Sequence, residues 1–590
     1  MVEVIKAVAM SKGQNGNARS SRRLPVPPED DLPVAPNPLW RIEVLPWLAA
    51  ALSGLLLVAC FPKLHLPGLV WFACLPLLAA LSGEKRLGRA FLLGYVCGLA
   101  FFSASCYWFV IVMQFYGHLP GWLAVLALVF FAFLDGTFFG GFGLAMGWAA
   151  RRSAGWALAL SPFLWVAMEL ARTYLISGFP WDLLGYAVQS SGIRQMAAMT
   201  GVYGLSFLAV ATSALLAWVL GFGREVRAAV AGSAESGSRW AAIRSGSRRF
   251  ERGPVTVLLT WISLLLLTQW WLAPPRVAPG NELAVLIQPD VPLDADSMDA
   301  WVPWRDPTQL RSLVQFSENA VDSIANRQSS IANPSRAPLL VWAENPAPFY
   351  YTRDPIFRNA VQNMARDAHA YVVVNTVIPV DDKSEAITNS AILVNPDGRQ
   401  IGRYDKMHLV PFGEYVPWWG LPGLVHKITT EVGAFVPGAR YTVTPSPEGG
   451  IGVFICYEAI DPVIARRLVA NGAGVLVNIS NDAWYGESAA AYQHLEMARM
   501  RALENHRYLL RATNNGVTAV VDPYGRVLAS LPRNNRLALP ARFDFETGQT
   551  FYSAHGDVFA WLAAALGVLM LLGGRTPRVR SEKLEVGSAA

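Results

Sequence analysis

Three residue types that could do chemistry together occur in one region of the chain, two of them at the end of an apolar run and one after a strand-turn unit. Cys456 follows Gly449-Gly-Ile-Gly-Val-Phe-Ile455, which has the length of a buried strand, and Asp461-Pro462 then opens a helix with Asp461 as its expected N-cap. A thiol held there stands at the rim of a sheet, where rigid backbone fixes it and nearby N–H groups can meet a developing oxyanion. A small buried cysteine without chemistry fits the same position, so its companions decide. Glu344 closes the run Leu339 to Ala343 before the turn Asn345-Pro-Ala-Pro348. Lys406 lies in Arg403-Tyr-Asp-Lys-Met-His-Leu-Val-Pro-Phe-Gly-Glu-Tyr-Val-Pro417, after the turn Asn395-Pro-Asp-Gly398. A carboxylate can take the thiol proton and later activate a second nucleophile. An ammonium can stabilise the thiolate and then a tetrahedral oxyanion.

The elements that position these residues divide the chain by composition. Of 590 residues, 53 % are hydrophobic and only 16 % charged, against about half and a quarter in soluble proteins. The apolar excess is concentrated in 44–275 and in one late segment, whereas 276–555 has an ordinary soluble composition. Runs near the ~20 residues needed to span a bilayer fall at 44–61, 66–82, 90–113, 121–149, 155–171, 199–222, 255–273 and 556–573. The expected architecture is therefore a polytopic α-helical membrane domain of about eight spans, seven in 44–275 and one in 556–574, with an α/β domain over 276–555. Polar tails, 1–43 and 575–590, flank it; the first is Pro-rich and reads as disordered.

Basic residues set the sidedness. The N-terminal tail, Lys85-Arg86, Arg151-Arg152, the run Arg224 to Arg252 and Arg575 to Lys583 share one face, and the opposite loops carry few. Positive residues mark the cytoplasmic side, so 276–555 is expected to project outward, into the periplasm of a bacterium, from the inner membrane. The net charge of +6 follows from this topology and gives no argument for nucleic-acid binding. The remaining cysteines, at 60, 74, 97 and 106, lie in apolar segments without metal-ligand or pairing spacing; neither a metal nor a cofactor is expected.

Within 276–555, apolar strands alternate with helices. Strands are expected at 283–288, 339–343, 370–378, 391–394, 453–455, 474–479 and 517–521, and helices at 307–327, 358–369 and 489–510. Such alternation implies sheets buried on both faces.

The ordered set Trp342-Ala-Glu344, Lys406-x-His-x-x-Pro-x-Gly-Glu414 and Cys456-Tyr-Glu458 resembles the nitrilase superfamily. Asn478-Ile-Ser-Asn-Asp-Ala-Trp484, Gln493-His494, Arg501-Ala-Leu-Glu504, Arg511-Ala-Thr-Asn-Asn-Gly516 and Gly178-Phe-Pro-Trp181 extend the likeness, over about 44–575, to the apolipoprotein N-acyltransferase family. The resemblance implies an α-β-β-α sandwich and a ping-pong acyl transfer. Cys456 would be the nucleophile, Glu344 the base and Lys406 the oxyanion stabiliser, with Glu414, Tyr457 and Glu458 in support; Tyr457 and Glu458 fit packing or an ion pair equally well. The implied donor is a phospholipid, phosphatidylethanolamine by expectation, and the acceptor is the N-terminal amine of an S-diacylglyceryl apolipoprotein. A membrane-facing cleft taking two lipid substrates in turn suits a monomer.

Two lipid contacts are further expectations. Arg172, beside Trp181 in a loop rich in Gly, Pro and aromatics, could meet a lipid phosphate or simply snorkel. Trp418 and Trp419, in Pro417-Trp-Trp-Gly-Leu-Pro-Gly-Leu-Val425, suit a membrane-dipping lid or the domain's own core. A membrane-tethered nitrilase-type amide hydrolase would use the same triad with water as acceptor, although it has no need of eight spans. A transporter would place more ionisable groups than Asp135 and Glu169 inside the spans.

Overall fold

The computed structural model describes residues 39–115, 117–175, 178–222, 252–328, 336–345, 349–381, 386–411, 413–415 and 435–573. The described residues from Pro46 onward fall in one compact unit, which holds the strands and the helices packed on them. The basic run from Arg224, the C-terminal tail and the Trp418-Trp419 segment lie outside the described residues.

Among the described residues, five helices have the length and apolarity to cross a membrane: Leu87–Ser105, Gly121–Ala150, Ala154–Tyr174, Ile193–Val219 and Gly253–Trp271. The other expected spans correspond to shorter apolar helices, Val44–Ala59, Pro67–Ser82 and Val558–Gly573. One boundary is corrected. The span expected at 90–113 ends at Ser105, and a separate short helix, Trp108–Phe115, follows. The first part packs against Gly121–Ala150 through small residues: a side chain at Gly94 would strike the Phe139 carbonyl, and one at Gly143 the Ala90 carbonyl. Between apolar helices in lipid, such close backbone approach is what gives attraction.

Beyond these helices, the described residues build a sandwich of two six-stranded sheets. Its strands are β1 (Glu282–Gln288), β2 (Leu339–Trp342), β3 (Tyr371–Pro379), β4 (Ile387–Val394), β5 (Gln400–Asp405), β6 (Val443–Pro445), β7 (Gly450–Ile455), β8 (Ala473–Ser480), β9 (Tyr508–Thr513), β10 (Ala519–Val521), β11 (Val527–Ser530) and β12 (Leu537–Phe543). One sheet runs β12-β1-β2-β3-β4-β5 and the other β11-β10-β9-β8-β7-β6. The central strands β1, β2 and β3 are parallel, as are β7, β8 and β9.

Alternation along the strands builds the layers. In the first sheet Leu286, Val341, Val373 and Leu393 face inward to meet Val475 and Val477 of the second. Ile287, Leu340, Val372 and Ile392 face outward, against Leu313 of the helix Thr308–Gln328 and Phe357 and Val361 of the helix Pro355–Asp367.

The outer layer of the second sheet is shared with the membrane helices. The helix Ala490–Asn505 turns Ala498 and Ala502 to the sandwich core, while Met497, Met500 and Leu503 enter the core of the apolar bundle. Each such side chain contributes about 1.5–3 kcal/mol when fully buried. Polar contacts fix the register: Trp181 Nε1 donates to Gln493 Oε1 at 3.0 Å, Arg501 to the Tyr186 hydroxyl at 3.1 Å, and the Val202 N–H to Glu504 at 3.0 Å. The sequence pattern predicts this helix as far as residue 510. It ends at Asn505 because His506 adopts the left-handed conformation, φ +48°, and Tyr508 starts β9. Tyr508-Leu-Leu continues the apolar run, so composition carries no break there.

Candidate active site

The site lies at the carboxyl ends of parallel strands, where open α/β sheets leave room for a ligand. Glu344 stands just past β2, Lys406 follows β5, and Cys456 follows β7. The two sheets thus deliver the three side chains from opposite faces of the sandwich.

Glu344 is fixed by one contact from each sheet. Asn389 Nδ2, on β4, donates to its Oε1 at 2.9 Å, and the Asn481 N–H, just past β8, donates to Oε2 at 3.0 Å. Lys406, only 1 % exposed at its side chain, has its Nζ 2.8 Å from Glu414 Oε1 and 3.7 Å from Glu344 Oε1. Asn389 Nδ2 also donates to Glu414 Oε1 at 3.0 Å, and Glu414 Oε2 accepts the Val410 N–H at 2.8 Å. One amide therefore bridges both carboxylates.

Charges at the site follow from these contacts. Burial alone would lower the Lys406 ammonium; the carboxylates of Glu414 and Glu344, with the thiol, outweigh it and raise it, so the lysine is protonated. Burial pushes the Cys456 thiol well above its ordinary value, and Glu344 adds to this while Lys406 opposes it. At neutral pH Cys456 is a thiol, and attack by its sulfur would need a base. Glu344 can serve as that base, because Lys406 has Glu414 as its nearer counter-ion.

Cys456 sits at φ +52° and starts a 3-10 turn, Cys456–Ile460. Such a left-handed, non-glycine residue costs on the order of 1–3 kcal/mol and persists where its surroundings hold it. Glu458, fully buried, supplies part of that hold. Its Oε2 accepts the Ile455 N–H at 2.6 Å, while its Oε1 accepts the Met407 and His408 N–H groups at 2.6 and 3.1 Å and the Tyr404 hydroxyl at 2.8 Å. The carboxylate joins the turn at Cys456 to the loop after Lys406. Burial pushes it up to about 7, against these donors. Tyr457 packs into the apolar bundle core and meets the His408 ring edge-on at 5.5 Å. Asp461 caps the next helix as expected, through the Val463 N–H at 2.8 Å, and also pairs with His408 at 3.1 Å.

The remaining expected residues are placed differently. Arg172 is 2 % exposed, donates to the Trp181 carbonyl at 3.0 Å and lies over the Phe102 ring. Trp181 is 1 % exposed. Both stand inside the protein: Arg172 lies in the last turn of the helix Ala154–Tyr174, and the loop that carries Trp181 packs onto the helix Ala490–Asn505 through Gln493 and His494. Asn389 is a site residue that the motifs do not reveal; its one signal is the polar triplet Thr388-Asn389-Ser390 inside an otherwise apolar strand.

A Glu–Lys–Cys site on a two-sheet sandwich, seated on a bundle of membrane-length helices, defines a membrane-embedded enzyme of the carbon-nitrogen hydrolase fold. A family profile described as carbon-nitrogen hydrolase matches residues 300–551, and another, described as the apolipoprotein N-acyltransferase N-terminal domain, matches 53–215. The chain is 35 % identical to the apolipoprotein N-acyltransferase of Geobacter metallireducens, over 88 % of this chain and 93 % of that one. It is 31 % identical to the enzyme of the same name from Methylococcus capsulatus, over 81 % and 86 %. Among solved structures, a carbon-nitrogen hydrolase from Helicobacter pylori G27 aligns at 18 % identity over 45 % of this chain and 89 % of that one, with a TM-score of 0.32. The chain belongs to the apolipoprotein N-acyltransferase family.

Proposed function

We propose that this protein carries out the last acylation of bacterial lipoproteins. A fatty acyl chain moves from a phospholipid, phosphatidylethanolamine by our reading, through a thioester on Cys456, to the N-terminal amine of an S-diacylglyceryl cysteine. Glu344 takes the thiol proton as sulfur attacks the ester carbonyl; the oxyanion forms beside Lys406. Collapse expels the lysophospholipid alkoxide, which recovers the proton from Glu344. The acceptor amine then attacks the thioester, Glu344 takes the amine proton, and the departing sulfur regains it. One carboxylate serves both halves, and the thioester preserves the acyl-transfer potential between them.

The observation that carries this reading is the helix Ala490–Asn505, one face on the catalytic sheet and the other in the membrane bundle core. A site built so closely onto apolar helices suits lipid substrates. The membrane in question is the bacterial inner membrane, with the catalytic domain on the periplasmic side and the enzyme acting as a monomer. Arg172 and Trp181 serve the lipid site from within; Trp418 and Trp419, expected as its lid, fall outside the described residues. Glu414, Tyr457 and Glu458 support the triad.

The test is reconstitution with phosphatidylethanolamine and a synthetic S-diacylglyceryl cysteinyl peptide. Equal amounts of lysophosphatidylethanolamine and N-acylated peptide are expected. Free fatty acid released regardless of peptide would instead indicate a hydrolase.

A further inference from the structure

His494 stands outside the Glu–Lys–Cys set, yet it touches the nucleophile's own backbone. Its Nε2 lies 3.0 Å from the Cys456 carbonyl oxygen. That carbonyl belongs to the residue held at φ +52°, so its direction and the left-handed turn are one geometric fact. The imidazole is held on every side. Nδ1 lies 3.1 Å from Arg511 Nη2 and 3.0 Å from Asp482 Oδ1. Trp181 stacks on the ring, 5.9 Å between centroids and 26° between planes, and Tyr485 meets it edge-on at 6.0 Å. Asp482 is anchored by Arg511 at 2.7 Å and by the Ser480 hydroxyl at 2.8 Å.

The Cys456 carbonyl can only accept, so the Nε2 that faces it at 3.0 Å carries a hydrogen. Nδ1 faces two partners of opposite character, the donating Arg511 guanidinium and the accepting Asp482 carboxylate. A planar trans peptide points its C=O and the next N–H in opposite directions. Holding the Cys456 carbonyl therefore also fixes the direction of the Tyr457 N–H, which the first turn of a helix leaves without an intrahelical acceptor.

We propose that His494 is a positioning residue for the nucleophile: its Nε2–H holds the Cys456 carbonyl, keeps the turn that presents the thiol, and is clamped there by Trp181 from the membrane domain. The inference rests on the thioacyl reading above and adds to it a link by which a membrane loop sets the geometry of the catalytic sheet.

The test tracks acyl-enzyme formation by intact mass in full-length protein mixed with phosphatidylethanolamine in detergent micelles. Rates are taken across lipid concentration to separate the saturating rate from half-saturation. His494→Gln can reach the carbonyl with its amide N–H. His494→Asn keeps an acceptor for Arg511 but falls short of the carbonyl, and His494→Leu fills the volume without a donor. The Gln variant is expected within about threefold of wild type, and the Asn and Leu variants at least about 30-fold slower at saturation with unchanged half-saturation. Equal slowing in Gln and Asn, or no slowing in Asn, overturns the proposal; that pair answers even where the Leu variant does not fold. Absence of any acyl-enzyme in wild type would instead overturn the thioacyl reading itself.

Discussion

Lys406 Nζ stands 2.8 Å from Glu414 Oε1, closer than to any other carboxylate oxygen it pairs with. Lys406 thus has its own counter-ion, which leaves Glu344 free for the proton transfers proposed for it. Replacing either carboxylate tests this division of labour. Glu344→Gln is expected to slow acyl-enzyme formation by about 10³-fold, in the range of a lost general base. Burial remains the main cause of the raised thiol, but the substitution removes a negative charge that adds to it. Cys456 should then ionise at lower pH and react faster with iodoacetamide while acylating more slowly. Parallel loss of both reactivities would sink the assignment. Glu414→Gln is expected to cost about 10²-fold, because Lys406 is then drawn onto Glu344.

Glu458 binds two segments at once, through the N–H of Ile455 and those of Met407 and His408. Glu458→Gln would place an amide NH₂ among donors, leaving a buried group unsatisfied at about 1–3 kcal/mol. Lower thermal stability and at least tenfold slower acylation are expected together. A variant that melts like wild type would show that the carboxylate does not join the two loops.

The pair between His408 and Asp461 gives a pH signature. Burial would lower the His408 imidazole, but the hydrogen bond and charge of Asp461 outweigh it, so the folded value is raised. A raised histidine contributes stability that is complete below its unfolded value of about 6.5 and is lost as pH rises through the folded value. The stability difference between wild type and His408→Gln should therefore be largest near about pH 6 and shrink toward about pH 9. A difference that widens with pH would contradict the pairing.

At the junction between sandwich and membrane helices, Arg501 and Glu504 form a fully buried pair at 3.0 Å. Glu504→Ala strands the guanidinium and should cost about 3–5 kcal/mol, whereas joint replacement of both by Leu should cost less than either single change. Additive losses in thermal unfolding would show that the two residues act independently.

Much of this site was legible in the chain, because its residues follow apolar runs that read as strands: Glu344 after Leu339 to Trp342, Cys456 after Ile451 to Ile455. Asp461 carried its own capping signal in the following proline. The strands β5, β6 and β12 were not legible. Gln400-Ile-Gly-Arg-Tyr-Asp405 and Val443-Thr-Pro445 are short or polar edge segments whose pairing is set by neighbours distant in sequence. Asn389 was not legible either, because a buried asparagine acquires meaning only once Glu344 and Glu414 lie on either side of it. Arg172 and Trp181 read as surface groups from hydropathy; the fold buries them because Trp181 packs under the helix Ala490–Asn505 and its carbonyl takes the Arg172 hydrogen bond, tertiary relationships no local pattern encodes.

The most direct measurement is intact mass of the protein extracted from native membranes, before and after mild hydroxylamine. The account predicts an excess of one fatty acyl group that hydroxylamine removes and that Cys456→Ser lacks. A Cys456 that stays unmodified, even after incubation with phosphatidylethanolamine, would contradict the thioacyl mechanism.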